Sequence, residues 1–397
     1  MAVRKQESVT GDVSTKVVRS FAEIEAIRQV WTTWRGDRDS DIEVFLSICR
    51  GNPSVLRPHV VVACRSGRPE ALLIGRIVQQ QVAFGGGYRL PVNPPARVLV
   101  FPYGAFRGDP SHENTEAVIS DVVEALGRGE ADCAVFDFLG VESSLFSAAK
   151  RLPGYLTRDH YSLIQPHWSM TLPRSVEQLY TSFSGSHRYE LRKKAKKFVA
   201  DFRGEVRVEQ FCDVSDLERI VEAAEAVANK TYQRGLGVGF ANTDAVREFL
   251  RAQAANGWLR AYILYVANAP CAFWIGAVYQ QRFYSDFLGF DPEYSRYSPG
   301  TYLLVKMLEE FCVGDVEEVD FGVGDGVYKE RFGNRCRTEA TVYVFAPSLK
   351  GFTLSMLKTL NAATSEPAKK FLARTNLLAR AKKIWRARAL ERQRATQ

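Results

Sequence analysis

Gly289-Phe290-Asp291-Pro292-Glu293-Tyr294-Ser295-Arg296-Tyr297-Ser298-Pro299-Gly300-Thr301 is the stretch on which the fold turns. Three β-rich runs precede it, over 258–266, 271–279 and 283–288, joined by tight connections at Asn268-Ala269-Pro270 and Gln280-Gln281. Connections that short make antiparallel neighbours. After the stretch, the spacing predicts a helix over 301–312 and a strand over 316–321, and a strand–helix–strand crossover implies a parallel pair. A meander that turns parallel through one helix leaves two strands diverging where the helix begins, and a ligand enters a sheet at such a point. Ser298 is a good N-cap and Pro299 suits the first helical turn. The free N–H groups there form an anion site that a pyrophosphate would fit. A simply well-capped helix is the competing reading.

Working outward, the pattern restarts near residue 165. A strand bounded by prolines runs over 166–173, and helices follow over 175–183 and 187–199. Next come a strand over 205–211 and helices over 217–230 and 244–256. A strand over 338–345 is expected to close this body. The earlier part is also mixed: helices over 21–34 and 41–49, a hairpin of 59–64 and 71–78 about Arg65-Ser66-Gly67-Arg68-Pro69, a strand over 97–101, a helix over 116–126 and a strand over 133–138. The expected organisation is an α/β chain of the α+β mixed-sheet kind, with domains at 1–164 and 165–347 and a helical tail over 348–397. The length of 397 residues suits two domains.

The seven cysteines are scattered, odd in number and without metal-ligand spacing, so free thiols in a reducing compartment are expected. Neither a signal peptide nor an apolar run of membrane-spanning length stands out. The net charge of +8 is localised: residues 349–397 hold 12 Lys/Arg against 2 Asp/Glu, leaving 41 against 43 elsewhere. Basicity confined to a tail argues against a general nucleic-acid-binding body. The five histidines show no metal spacing, and His187 is read as surface. Gly85-Gly86-Gly87 lacks the strand–helix setting of a nucleotide fingerprint.

Pro292, Glu293, Tyr294, Gly300, Leu303 and Leu304 resemble the acyl-CoA loop of the GNAT superfamily, with Ser295 and Ser298 departing from the usual Arg/Gln and Gly. The chain more closely resembles the BioF2-like or CelD-type acetyltransferases, a branch related to the FemAB group. Gly289 to Tyr294, Ser298-Pro299-Gly300, Asp320-Phe321 and Gly324-Asp325 followed by Tyr328-Lys329 carry that resemblance, with Pro166-His167-Trp168 and the basic helix from Arg188 to Lys197 in support. It covers about 165–346. It implies tandem GNAT-like domains with the first degenerate, and acetyl-CoA or another acyl-CoA as co-substrate with no metal. The implied acceptor is an amine or hydroxyl of a sugar or small metabolite, in exopolysaccharide or envelope assembly.

Acyl transfer from a thioester needs an unprotonated nucleophile, a polarised carbonyl and a proton for the departing thiolate. Backbone N–H groups near Phe287, Leu288 and Gly289 suit the carbonyl. Ser298, Pro299, Gly300 and Thr301 suit the cofactor phosphates. Tyr328 is the expected acid and Asp325 the expected base, and the resemblance implies Lys329 as a neutraliser of phosphate or oxyanion. Trp274, Tyr284, Asp286 and Arg331 are acceptor-side candidates, as are Tyr232 and Arg234 after a long helix. Plainer readings stay open: Asp325 organising a Gly-rich turn, Tyr328 as packing, Lys329 and Arg331 on a solvated face, and Trp274, Tyr284 and Asp286 as core.

Two basic helices complete the reading. Arg188 to Lys197 suits a solvated face or a large charged donor, so an aminoacyl-tRNA-dependent peptidyltransferase of the FemAB kind is one alternative. A non-catalytic polysaccharide-assembly factor, its loop altered at Ser295 and Ser298, is another. From Pro367 onward, Phe371, Leu377, Leu378, Ala381, Ile384 and Trp385 form an apolar stripe opposed by Arg and Lys. That helix either docks on the body or adsorbs to an anionic membrane face. The expected location is cytoplasmic, peripheral to the inner membrane in the second case.

Overall fold

The computed structural model describes residues 13–82, 93–231 and 239–374, with side chains through residue 363. Two compact units emerge, built among the described residues from 13–165 with 338–371 and from 166–337.

In unit 1, β1 (Val13–Val18), β2 (Val55–Arg65), β3 (Arg68–Gln81) and β4 (Pro95–Phe101) run antiparallel in turn, with β5 (Phe106–Gly108) added on β3. β6 (Cys133–Gly140) lies parallel to β4, and β13 (Arg335–Phe345) pairs antiparallel with β6. Alternation in β2 explains the two-faced core. Val60 and Val62 pack with Ile24, Trp31 and Phe45 of α1 (Phe21–Ala26), α2 (Arg28–Thr33) and α3 (Ile42–Gly51). Val61 and Ala63 pack with Val118, Ile119 and Ala148 of α4 (His112–Gly127) and α5 (Ser144–Arg151).

Unit 2 repeats the plan. β8 (Val206–Phe211), β9 (Leu259–Val266), β10 (Ala269–Tyr279) and β11 (Arg282–Phe290) are antiparallel. β12 (Glu318–Val323) is parallel to β11 and antiparallel to β7 (Leu163–Thr171). Both hairpins turn on two consecutive non-glycine residues with positive φ, Ala267-Asn268 and Gln280-Gln281, the backbone handedness that matches strand twist. Tyr262 and Leu264 of β9 pack towards α6 (Val176–Ser182), α7 (Gly185–Asp201) and α10 (Pro299–Phe311). Ala261 and Ile263 pack towards α8 (Leu217–Ala228) and α9 (Asp244–Ala255). Two short elements complete the chain: α11 (Val327–Phe332) follows β12, and α12 (Leu349–Arg374) follows β13.

The mixed α/β class and the doubled strand plan agree with the expectation. One expectation changes: the strand over 338–345 does not close the second body. It ladders with β6, Val342 opposite Phe136 and Val344 opposite Ala134, and β7 occupies the corresponding place beside β12. The tail helix also starts earlier than Pro367, at Leu349. The stripe residues Leu377, Leu378, Ala381, Ile384 and Trp385 lie outside the described residues, as do Tyr232 and Arg234. No described helix is long and apolar enough to cross a membrane.

Candidate functional site

The site begins as an irregularity in one ladder. The register of β10 and β11 shifts between Ile275 opposite Phe287 and Gly276 opposite Ser285, leaving Asp286 as an extra residue. A β-bulge of this kind bends its strand and increases local twist. Gly276 makes it possible: a Cβ there would lie 2.1 Å from the Tyr284 carbonyl oxygen. On its other side, β11 pairs with β12 only from Arg282–Glu318 to Tyr284–Asp320. Past that point the strands separate, so the edge of β11 over Leu288 and Gly289 faces a cavity of about 860 Å³. Trp168, Thr231, Phe290, Pro292, Asp325, Gly326, Tyr328, Lys329 and Glu330 also line it.

The opposite wall is the turn after β12. Asp320 is buried and its Oδ1 lies 2.6 Å from His167 Nε2 while accepting 2.8 Å from the Gly322 N–H. These contacts hold the Asp320 carboxyl below its ordinary range against the opposing effect of burial, the largest single influence on it. Gly322 and Gly324 take positive φ, and Lys329 Nζ donates to the Gly322 and Val323 carbonyls at 3.1 and 2.9 Å. Burial lowers the Lys329 pKa, with Asp320 and Asp325 opposing. Lys329 is therefore a fastener of the turn, rather than a solvated side chain. That turn delivers Asp325, exposed on the cavity wall, and Tyr328.

Tyr328 stands edge-on to Trp274 and Phe321, with centroids 5.5 and 6.0 Å away. Burial holds its hydroxyl protonated well above the usual tyrosine range. It borders both the large cavity and a second one of about 290 Å³, lined by His187, Lys194, Ser298, Thr301, Arg331 and Phe332 among others. This second cavity adjoins the N-terminus of α10. Ser298 differs from its expected role: it adopts a left-handed conformation, φ 56 and ψ 56, and its side chain makes no capping hydrogen bond. Its hydroxyl instead receives Lys194 Nζ at 3.3 Å. The first turn of α10 thus lacks a side-chain cap and has beside it Lys194, which also pairs with Glu190 at 2.9 Å; an open helix start with a lysine in reach is the frame of an anion site. Gly300 leaves room, since a Cβ would meet only Phe290 at 3.6 Å.

The remaining candidates separate. Trp274 supports Tyr328 and donates to Ser285 Oγ at 2.9 Å. Phe287 turns its ring towards Phe240 and Phe249 of the other core, so only its backbone is near the opening. Asp286 accepts from Gln253 Nε2 at 3.0 Å, and Tyr284 is buried beside Arg282. Neither Tyr284 nor Asp286 is among the residues lining the two cavities. Arg331 lines the smaller cavity and Pro299 is buried in the helix start. His187 is not plain surface: its ring packs with Phe183 and Phe332, and burial lowers its pKa. Trp168, His187, Lys194 and Glu330 line the cavities without being among the expected site residues, with His187 read as surface and Trp168 named only in the resemblance. The basic run in α7 was the available signal for Lys194. Asp291 is structural, capping Glu293 N–H and pairing with Lys230 at 2.6 Å. Among the described residues no cluster could hold a metal ion.

Residues 185–330 match the acetyltransferase (GNAT) domain family. The fold resembles the crystal structure of FemX, at TM-score 0.56 and 10% identity over 84% of this chain and 98% of that one. A second similar structure is the C-terminal domain of a putative lysylphosphatidylglycerol synthetase from Agrobacterium fabrum. It has TM-score 0.49 and 14% identity over 85% of this chain and 96% of that one. A third, from Enterococcus faecalis, carries the description probable N-acyltransferase, with TM-score 0.39 and 9% identity over 84% and 73%. No curated protein matches the sequence.

Proposed function

We propose that this chain, whose second unit contains a GNAT-type acetyltransferase domain, transfers an acetyl or other acyl group from acyl-CoA to an amine or hydroxyl of a sugar or small metabolite. The observation that carries the reading is the opening of β11 from β12 past Tyr284 and Asp320, with a cavity in the opening and an uncapped helix start beside Lys194. The pyrophosphate sits at Gly300 and Thr301 with Lys194 as its counter-charge. The thioester carbonyl takes N–H groups of β11 near Leu288 and Gly289, where developing negative charge is stabilised. The acceptor attacks that carbon and passes its proton to Asp325, directly or through water. The carbon–sulfur bond breaks, and the thiolate takes the Tyr328 proton. Lys329 acts by holding the turn. Arg331 and Trp168 line the approaches, and exopolysaccharide or envelope assembly is the setting that fits the sequence resemblance.

A second reading has one specific observation in its favour. Arg192, Lys193, Lys196 and Lys197 are exposed on α7, the helix whose Leu191 and Lys194 line the smaller cavity, and such a surface suits a polyanionic donor such as an aminoacyl-tRNA. Calorimetric titration with acetyl-CoA, free CoA and bulk tRNA, at low and moderate salt, separates the two. Salt-tolerant, saturable acetyl-CoA binding that weakens in Gly300→Trp supports acyl-CoA transfer. Tight tRNA binding without CoA binding replaces it with the tRNA-dependent enzyme, and no binding of any of the three points to a non-catalytic factor.

A further inference from the structure

Helix α12 buries polar side chains beside Leu354 and leaves a row of apolar ones outside. Ser355, Lys358 and Asn361 are buried, each with 8% or less exposed, while Leu349, Phe352 and Met356 are 85%, 38% and 65% exposed. At 3.6 residues per turn, Leu349, Phe352 and Met356 fall within an arc of about 60°, opposite Lys358. The inward polar face is deliberately held: Lys358 Nζ donates to Asp159 Oδ1 at 2.5 Å, and Asp159 is itself 2% exposed. Lys358 cannot roll outward without abandoning a buried carboxylate, so the helix is locked with its apolar stripe facing away from the body. A contiguous apolar face kept outward at that cost marks an interaction surface.

We propose that this face of α12 is the docking surface for an anionic lipid bilayer. The occupant follows from charge. Residues 364–397 hold ten Lys/Arg against two acidic residues. A second copy of the chain would bring two such segments together and pay like-charge repulsion. A bilayer bearing phosphatidylglycerol neutralises them while accepting the apolar stripe at the headgroup–acyl boundary. The stripe supplies the apolar contact and the basic segment the attraction, the two signals that stable peripheral binding needs. The inference is independent of the acyl-transfer reading, since it uses no residue of that site.

The test is co-sedimentation of the full chain with phosphatidylcholine vesicles, with and without phosphatidylglycerol, at two salt concentrations. Salt-sensitive binding to the anionic vesicles alone is expected, falling about tenfold or more in Phe352→Glu/Met356→Glu. A variant that binds as well as the parent overturns the stripe's role, and absence of vesicle binding by the parent overturns the proposal outright. A dimeric parent and monomeric variant in light scattering, with no vesicle binding, would assign the face to a second copy instead. Should the double variant fold poorly, Met356→Trp answers independently. Because the chain already holds six tryptophans, the emission of the parent is subtracted; the difference spectrum shifts to the blue with anionic vesicles if the stripe enters the bilayer, and an unmoved difference spectrum refutes the proposal.

Discussion

Replacing Gly276 by alanine tests the device that opens the site. The new Cβ would lie 2.1 Å from the Tyr284 carbonyl oxygen and 2.6 Å from the Phe283 ring. Ordinary carbon contacts sit at about 3.5 Å or more, so backbone must move by over an ångström. The obstructing atom belongs to the last residue of the β11–β12 ladder, so relief comes from displacing the strand that bounds the cleft. Overpacking of this kind costs about 1–3 kcal/mol, and for a body of this size about 2–4 °C of melting temperature per kcal/mol. A drop of about 2–12 °C is expected by calorimetry, with acetyl-CoA binding weakened in the same sample. Gly300→Ala is the matched comparison. Its Cβ meets Phe290 at an ordinary 3.6 Å, and alanine in a helix is favoured over glycine by up to about 1 kcal/mol. If Gly276→Ala melts with the parent, or Gly300→Ala proves the worse of the two, the steric account of the bulge is wrong.

Three further outcomes are expected. Tyr328→Phe keeps the ring between Trp274 and Phe321 and removes the proposed acid. Turnover of acetyl-CoA with an acceptor should fall about 10²- to 10⁴-fold at unchanged melting temperature; an unaltered rate would remove Tyr328 from the mechanism. His59 is fully buried, and burial above all, then the neighbouring Arg57, lowers its pKa to about 4. Its folded value lies below its unfolded one, so the stability it leaves intact is whole above pH 6.5 and is lost as pH falls towards 4. The slope is about 1.4 kcal/mol per pH unit for one proton, and urea melts of His59→Gln should show a shallower decline across that window. Glu130, 3.7 Å from His59 Nδ1, does not reverse this, because burial outweighs it. Lys358→Met leaves Asp159 buried without its cation and should cost about 3–5 kcal/mol. Adding Asp159→Asn should recover part of that loss in a double-mutant cycle, and strict additivity would show that the pair is not coupled.

Local chemistry was enough to read most of the elements and the parting of β11 from β12 on which the candidate site is built. The period-two runs of β9, β10 and β11, their two-residue turns, and the crossover helix after Ser298-Pro299-Gly300 need only neighbouring residues to be specified, and they place two strands side by side with a helix at the gap. The resemblance of the segments around Asp291 and Asp325 rests on those same local features. What the tertiary structure decided is whatever depends on partners far away in the chain. Strand 338–345 carries the same alternation whether it pairs with β12 or with β6, and only the competition with β7 for the edge of β12 decides. Serine at 298 reads as a cap until the backbone there proves left-handed, which turns its hydroxyl to Lys194 and leaves the helix start uncapped. Lys329 looks like any surface lysine, yet two carbonyls of a glycine turn claim its ammonium. Lys358 and Asp159, 199 positions apart, fix which way α12 faces, because a buried carboxylate holds the lysine inward beside Leu354 and so leaves Leu349, Phe352 and Met356 outside.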